Sequence, residues 1–253
     1  MHTSRPCLAS RRIVLSSPQS LVVESPAPEG MRLTGVWFRL TVLYLLAMIV
    51  LQGLGGDAAI ADALYAMQGH QWALRHHELT EGWVHGGGRR LVAGMFLGLI
   101  AFTLFAWRRP AFAAWRRGLV VLLGSVLASV AIVAGTKYSL AMDCPWSLAA
   151  YGGSLPHIGL FEARPLDLPR NSCFPAAHAS SGFAWVALYF FFAATRPRWR
   201  HAGLAVGLAL GTVFALSQEL RGAHFLSHDL TSLMICWTIA LAAHLVFNRS
   251  GAA

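Results

Sequence analysis

Two histidines, an arginine and an aspartate fall within RGAHFLSHD, residues 221–229, where one long apolar run breaks off and another begins. Ionisable side chains at the edge of a membrane span are costly and usually functional. On a helix His224 and His228, four residues apart, would share one face, so that one imidazole can position the other. A histidine that attacks phosphorus needs an unprotonated ring nitrogen, and a group that accepts a hydrogen bond from the other nitrogen fixes that tautomer. His228 and Asp229 are both candidates for this orienting role. The competing reading is a pair of interfacial histidines that cap the flanking helices.

Two further clusters have the same character. KYSLAMDCPW (137–146) contains Lys137, the single lysine of a chain with nineteen arginines. A composition that uses arginine nearly everywhere makes one lysine notable, although a lysine at a helix end also snorkels to the interface. SCFPAAHASSGF (172–183) contains His178 beside Pro175 and several small residues, which let backbone and imidazole approach a ligand closely. The same residue types also start helices.

The elements that position these clusters follow from composition. Hydrophobic residues make up 56% of the 253 positions and charged residues 12%, a balance that belongs in a membrane. Apolar runs at about 35–55, 91–107, 118–136, 180–195, 202–217 and 230–247 are of spanning length. They are continuous where the strands of a β-barrel would alternate. The expected fold is therefore all-α, an integral membrane six-helix bundle over 31–250, preceded by a flexible cytoplasmic tail over 1–30. Met31 is an alternative start, and the first run has no clear cleavage site of a signal peptide. ADALYAMQGHQWALRHH (61–77) reads as an interfacial helix. HGGGRR (85–90) could contact a head group through its backbone and two arginines, but it reads as a flexible turn entering the second helix, without a catalytic part.

The formal charge of +9 raises nucleic acid as a partner, but the basic residues sit in short connections and not along one soluble face. They report orientation instead. RRPAFAAWRR (108–117), RPRWR (196–200) and Arg249 fall on one side with the N-terminal arginines, which the positive-inside rule assigns to the cytoplasm. All three chemical clusters then face outward. Cys144 and Cys173 lie on that side, where an oxidising exterior permits a disulfide between them; the loop of about thirty residues would be stabilised by roughly 2–4 kcal/mol.

Together the clusters resemble the three motifs of the type 2 phosphatidic acid phosphatase family, membrane relatives of the vanadium haloperoxidases. Lys137 and Pro145 match the first motif, with Cys144 where the family has arginine. Pro175 and His178 match the second, with Ala176 and Ala177 in place of Ser-Gly. In the third, Ser217 leads, Gln218 replaces arginine, His224 is the nucleophile and His228 takes the aspartate position. A register anchored on Arg221 would make His228 the nucleophile but needs one residue too many.

The resemblance implies a phosphohistidine on His224, with His178 as proton donor and then base. Lys137, Arg221, Arg164 and Gln218 would bind phosphate, and no metal or other cofactor would be needed. It implies a lipid phosphate or diphosphate as substrate, such as phosphatidic acid, phosphatidylglycerol phosphate, undecaprenyl diphosphate or lipid A. The setting would be the bacterial inner membrane, with the active site at its periplasmic end and both termini cytoplasmic. Two rivals stand beside this. One is a metal-dependent membrane hydrolase using His178, His224, His228 and Asp229. The other is a catalytically degenerate lipid-binding or transport protein.

Overall fold

The apolar runs fold as helices because hydrocarbon leaves a backbone no partner but itself. A computed structural model of the chain describes residues 29–159 and 162–249, so the tail expected over 1–30 lies outside the described residues except for its last two positions. α1 (Glu29–Met48) runs on through a wider, π-helical turn to Gly53, and α2 (Gly56–Met67) is short. α3 (Gly88–Arg108) continues a π-helical lead-in, Glu78–Gly87, and α4 (Ala113–Ser139) follows after a tight turn. α5 (Ala177–Phe183) and α6 (Ala187–Thr195) join through one 3-10 turn, and α7 (Arg200–Leu220) and α8 (Leu226–Arg249) complete the bundle. Six of the resulting helices are long and apolar enough to cross a bilayer. The chain is an all-α, multi-pass membrane protein, and large apolar side chains such as Leu43, Leu46, Leu97 and Leu104 face outward, as lipid contact allows.

Two elements differ from expectation. The second span begins at Glu78 and not near 91, because the glycines of HGGGRR are absorbed into helix. The interfacial helix is Gly56–Met67 and not 61–77. It is preceded by Gly55 at φ 80° and followed by Gly69 at φ 73° and His70 at φ 56°, left-handed conformations that no helix can continue through.

The tightest packing lies between α7 and the α5–α6 span. A Cβ on Gly207 would sit 2.3 Å from the backbone nitrogen of Val186, one on Gly211 2.0 Å from the Phe183 ring, and one on Gly182 2.5 Å from the backbone nitrogen of Gly211. Small residues at i and i+4 let the two backbones touch, the usual basis of helix association in lipid. α4 and α8 close around this pair, burying Leu119, Leu122, Val126 and Cys236.

At one end the bundle is roofed by α2 and the connection after α4. Tyr65, Trp72 and Tyr151 pack ring to ring over Ala61, Leu148 and Phe225. The basic loops gather at the other end, where Arg196 lies 5.5 Å from the Trp115 ring and Arg116 donates to the Ala106 carbonyl.

The roof also caps a helix. The Asp57 carboxylate accepts a hydrogen bond of 3.1 Å from the backbone N–H of Ser227, in the first turn of α8. Burial raises the Asp57 carboxyl above its ordinary range, although its bonds to Ser227 work against that shift. Asp57→Ala should therefore destabilise the protein by about 1 kcal/mol, the usual worth of an N-cap. Asp57→Asn, which keeps the acceptor without the charge, should cost little. Thermal midpoints in detergent separate the two.

Candidate functional site

Beneath the roof, α3, α4, α5 and the α7–α8 turn enclose a cavity of about 570 Å³. Val92, Ala93 and Phe96 of α3, Val126, Leu127 and Val130 of α4, and Trp185 form its apolar walls. His85, Arg89, Lys137, His178, Ser181, Gln218 and His224 form its polar part, and among the described residues no aspartate or glutamate lines it. A pocket bounded by cations and imidazoles, without a carboxylate among its described lining residues, selects an anion.

Each polar group is set by a local device. His178 occupies the first turn of α5, sandwiched between the Phe214 ring at 4.4 Å and the His85 ring at 4.5 Å. Phe214 reaches that place because residue 88 is glycine; a Cβ there would lie 2.6 Å from the Phe214 ring. The carbonyl of Val84 accepts a hydrogen bond from the His178 imidazole, whereas its Nε2 is buried without a partner. One nitrogen is thus fixed as a donor to the protein and the other is left for chemistry.

His224 is not on a helix. Gly222, at φ 70°, turns the chain at the end of α7, and helix resumes only at Leu226. A Cβ on Gly222 would meet the Trp72 ring at 2.4 Å. The shared helical face expected for His224 and His228 is therefore absent. Their rings meet edge to face at 5.7 Å without a hydrogen bond. His228 is fully buried behind the cavity between the Phe174 and Phe225 rings, with the Cys173 backbone as its polar neighbour. Asp229 lies against Glu219 and not against His224. Burial, reinforced by His228 and Lys137 nearby, holds the His224 imidazole well below its usual titration range, so it is neutral at pH 7.

The residues expected to hold phosphate divide in two. Lys137, half-buried in the last turn of α4, and Gln218 line the cavity. Arg221 and Arg164 do not. Arg221 pairs with Glu81 at 2.9 Å and donates to the Arg75 carbonyl at 2.9 Å and the Gln218 Oε1 at 3.2 Å. Arg164 grips both oxygens of Asp143, at 2.8 and 3.0 Å, and donates to the carbonyls of Ala141 and Pro169. Carboxylates distant in sequence capture both guanidinium groups.

Cys144 and Cys173 are joined by a disulfide and both border the cavity. Where the motif would place an arginine, this chain has a covalent link that ties the end of α4 to the start of α5. The metal-site reading has no matching geometry. His178 faces the cavity while His228 and Asp229 lie behind it, and among the described residues no group of three or more His, Cys, Asp or Glu is placed to hold an ion.

His85 and Arg89 belong to the stretch read from the sequence as a turn without a catalytic part. The signal was present: positions 85, 89, 92, 93 and 96 repeat at helical spacing, and all five line the cavity.

A family model, the PAP2 superfamily, matches residues 118–252, which includes most of α4, all of α5 to α8 and all three clusters. No curated protein and no solved structure gives a significant match.

The disulfide closes a loop between residues 29 apart. Replacing both cysteines with alanine should cost roughly 2–4 kcal/mol. The thermal midpoint should fall with it. Reductant should lower the midpoint of the natural protein and leave that of the double variant unmoved.

Proposed function

Because the chain belongs to the PAP2 superfamily, whose members are phosphatases, we propose that it hydrolyses the phosphate of a membrane lipid through a phosphohistidine on His224. The observation that carries this is the cavity itself. Neutral His224, His178 with a free Nε2, and Lys137 border one anion-selective space whose remaining walls are apolar. A phosphorylated head group and a hydrocarbon chain match those two halves.

In the first step an unprotonated ring nitrogen of His224 attacks phosphorus, the bond to the leaving oxygen breaks, and His178, which carries a second proton on Nε2 in the substrate complex, gives that oxygen this proton. In the second, His178 takes a proton from water as the water attacks the phosphohistidine, which releases inorganic phosphate and restores His224. Lys137 balances charge on the equatorial oxygens throughout. His228 and Asp229 support the turn that carries His224 from behind. Arg221 acts through Gln218, and Arg164 holds the disulfide loop through Asp143.

Phosphatidic acid, phosphatidylglycerol phosphate, undecaprenyl diphosphate and the phosphates of lipid A share the required chemistry. The disulfide beside the cavity and the basic loops at the opposite end both favour a site on the outer, periplasmic face of a bacterial inner membrane, with cytoplasmic termini.

Purified protein in detergent with excess chelator should release phosphate from at least one of these lipids. His224→Ala and His178→Ala should each lower that rate by about a hundredfold or more. Loss of activity to chelator, or full activity in either variant, would overturn the histidine mechanism. The acid limb due to the nucleophile should lie well below the ordinary imidazole value of about 6.5, because a lowered value keeps His224 neutral as pH falls. A pH profile of kcat/KM checks this.

A further inference from the structure

Resting on the phosphatase reading, we infer that Arg89, with His85 beside it, is the guanidinium anchor for the substrate phosphate, supplied from α3 in place of the arginines missing at 144 and 218. The inference starts from an inventory of charge. A phosphoryl group brings about two negative charges to the cavity. Of the cations near it, Arg221 is 4% exposed and committed to Glu81, and Arg164 is committed to Asp143. That leaves Lys137 and Arg89 on the cavity wall. No hydrogen bond or ion pair to another described residue holds the Arg89 guanidinium.

Helical phase separates Arg89 from its neighbour. It stands four residues after His85 and three before Val92, on the face that lines the cavity. Arg90 is turned away from the cavity wall and donates to the Gly86 carbonyl.

A relay prepares His85 for the same task. Because Gln218 Oε1 accepts from Arg221, the amide nitrogen of Gln218 is the atom that faces His85 Nδ1, at 2.9 Å. His85 therefore accepts at Nδ1 and carries its hydrogen on Nε2, so the neutral ring remains a donor. Gln218 and Arg221 are positioning residues in this scheme. The site keeps a guanidinium but takes it from a helix that the third motif only orients.

The test uses the full chain in detergent, with inorganic phosphate as the probe by isothermal titration and phosphatidic acid as the substrate. Arg89→Ala should weaken phosphate binding by about ten- to a hundredfold, the range for a lost charge-assisted contact. It should also lower kcat/KM on phosphatidic acid by a similar factor, Arg89→Lys should recover part of both, and Arg90→Ala should stay within about twofold of the natural protein. Phosphate affinity within about twofold in Arg89→Ala, or no phosphate binding by the natural protein, overturns the assignment. Weakened phosphate binding with unchanged turnover would mean that Arg89 holds free phosphate only, and overturns its role with substrate. Natural protein that binds phosphate through Arg89 but hydrolyses none of the four candidate lipids refutes the phosphatase reading and leaves Arg89 an anion anchor.

Discussion

The glycine contact between α5 and α7 is the constraint from which the site follows. Gly182 and Gly211 allow the two backbones to meet, and Phe183 lies where any side chain at 211 would stand. His178 is one turn before Gly182, and Phe214 and Gln218 are one and two turns after Gly211. The seam therefore sets the stack of Phe214 on His178 and holds Gln218 against His85. In lipid, apolar burial gives helices no reason to prefer one register, so close packing of small residues has to supply it. Side-chain chemistry two turns away inherits that register.

A second layer of order is polar. Glu81, Arg221, Gln218 and His85 form one run of an ion pair and hydrogen bonds that crosses from the α3 lead-in to the end of α7 and back. Buried polar groups are expensive unless paired, so such a run is kept only when its members satisfy one another. Its cost is that Arg221 no longer offers charge to the cavity. Its product is a fixed tautomer at His85, next to His178. The disulfide has a comparable logic at position 144, where it exchanges a mobile cation for a rigid wall.

The six spans were legible because a bilayer demands long uninterrupted apolar runs, and the places of Lys137, His178 and His224 on one cavity were legible because each breaks such a run at one end. The ion pairs that hold Arg221 and Arg164 were not, since nothing in the linear order shows that Glu81 and Asp143 come within 3 Å of them. The pairing of His224 with His228 failed as a helical argument because Gly222 reverses the chain between α7 and α8. His85 and Arg89 were hidden by three consecutive glycines, which read as a turn. In water that reading has force, because glycine weakens helices by about 1 kcal/mol each. At a membrane boundary the backbone must pair internally, and the glycines stay helical.

The same demand explains why the cavity's histidines sit where they do. An imidazole in a dry bundle is tolerated when neutral, and His224 is kept so by burial. A neutral ring is also the form that the proposed attack on phosphorus requires, so in that reading burial and nucleophilicity act in one direction. The conflict falls on the cations, which lose solvation as the cavity closes around them. Lys137 at the end of α4 and Arg89 near the start of α3 meet it at the helix ends, where long side chains reach water along apolar walls. A phosphate entering between them would replace that water with paired charge. On the proposed function, the site would gain most from an anion whose tail stays in lipid while its head displaces solvent.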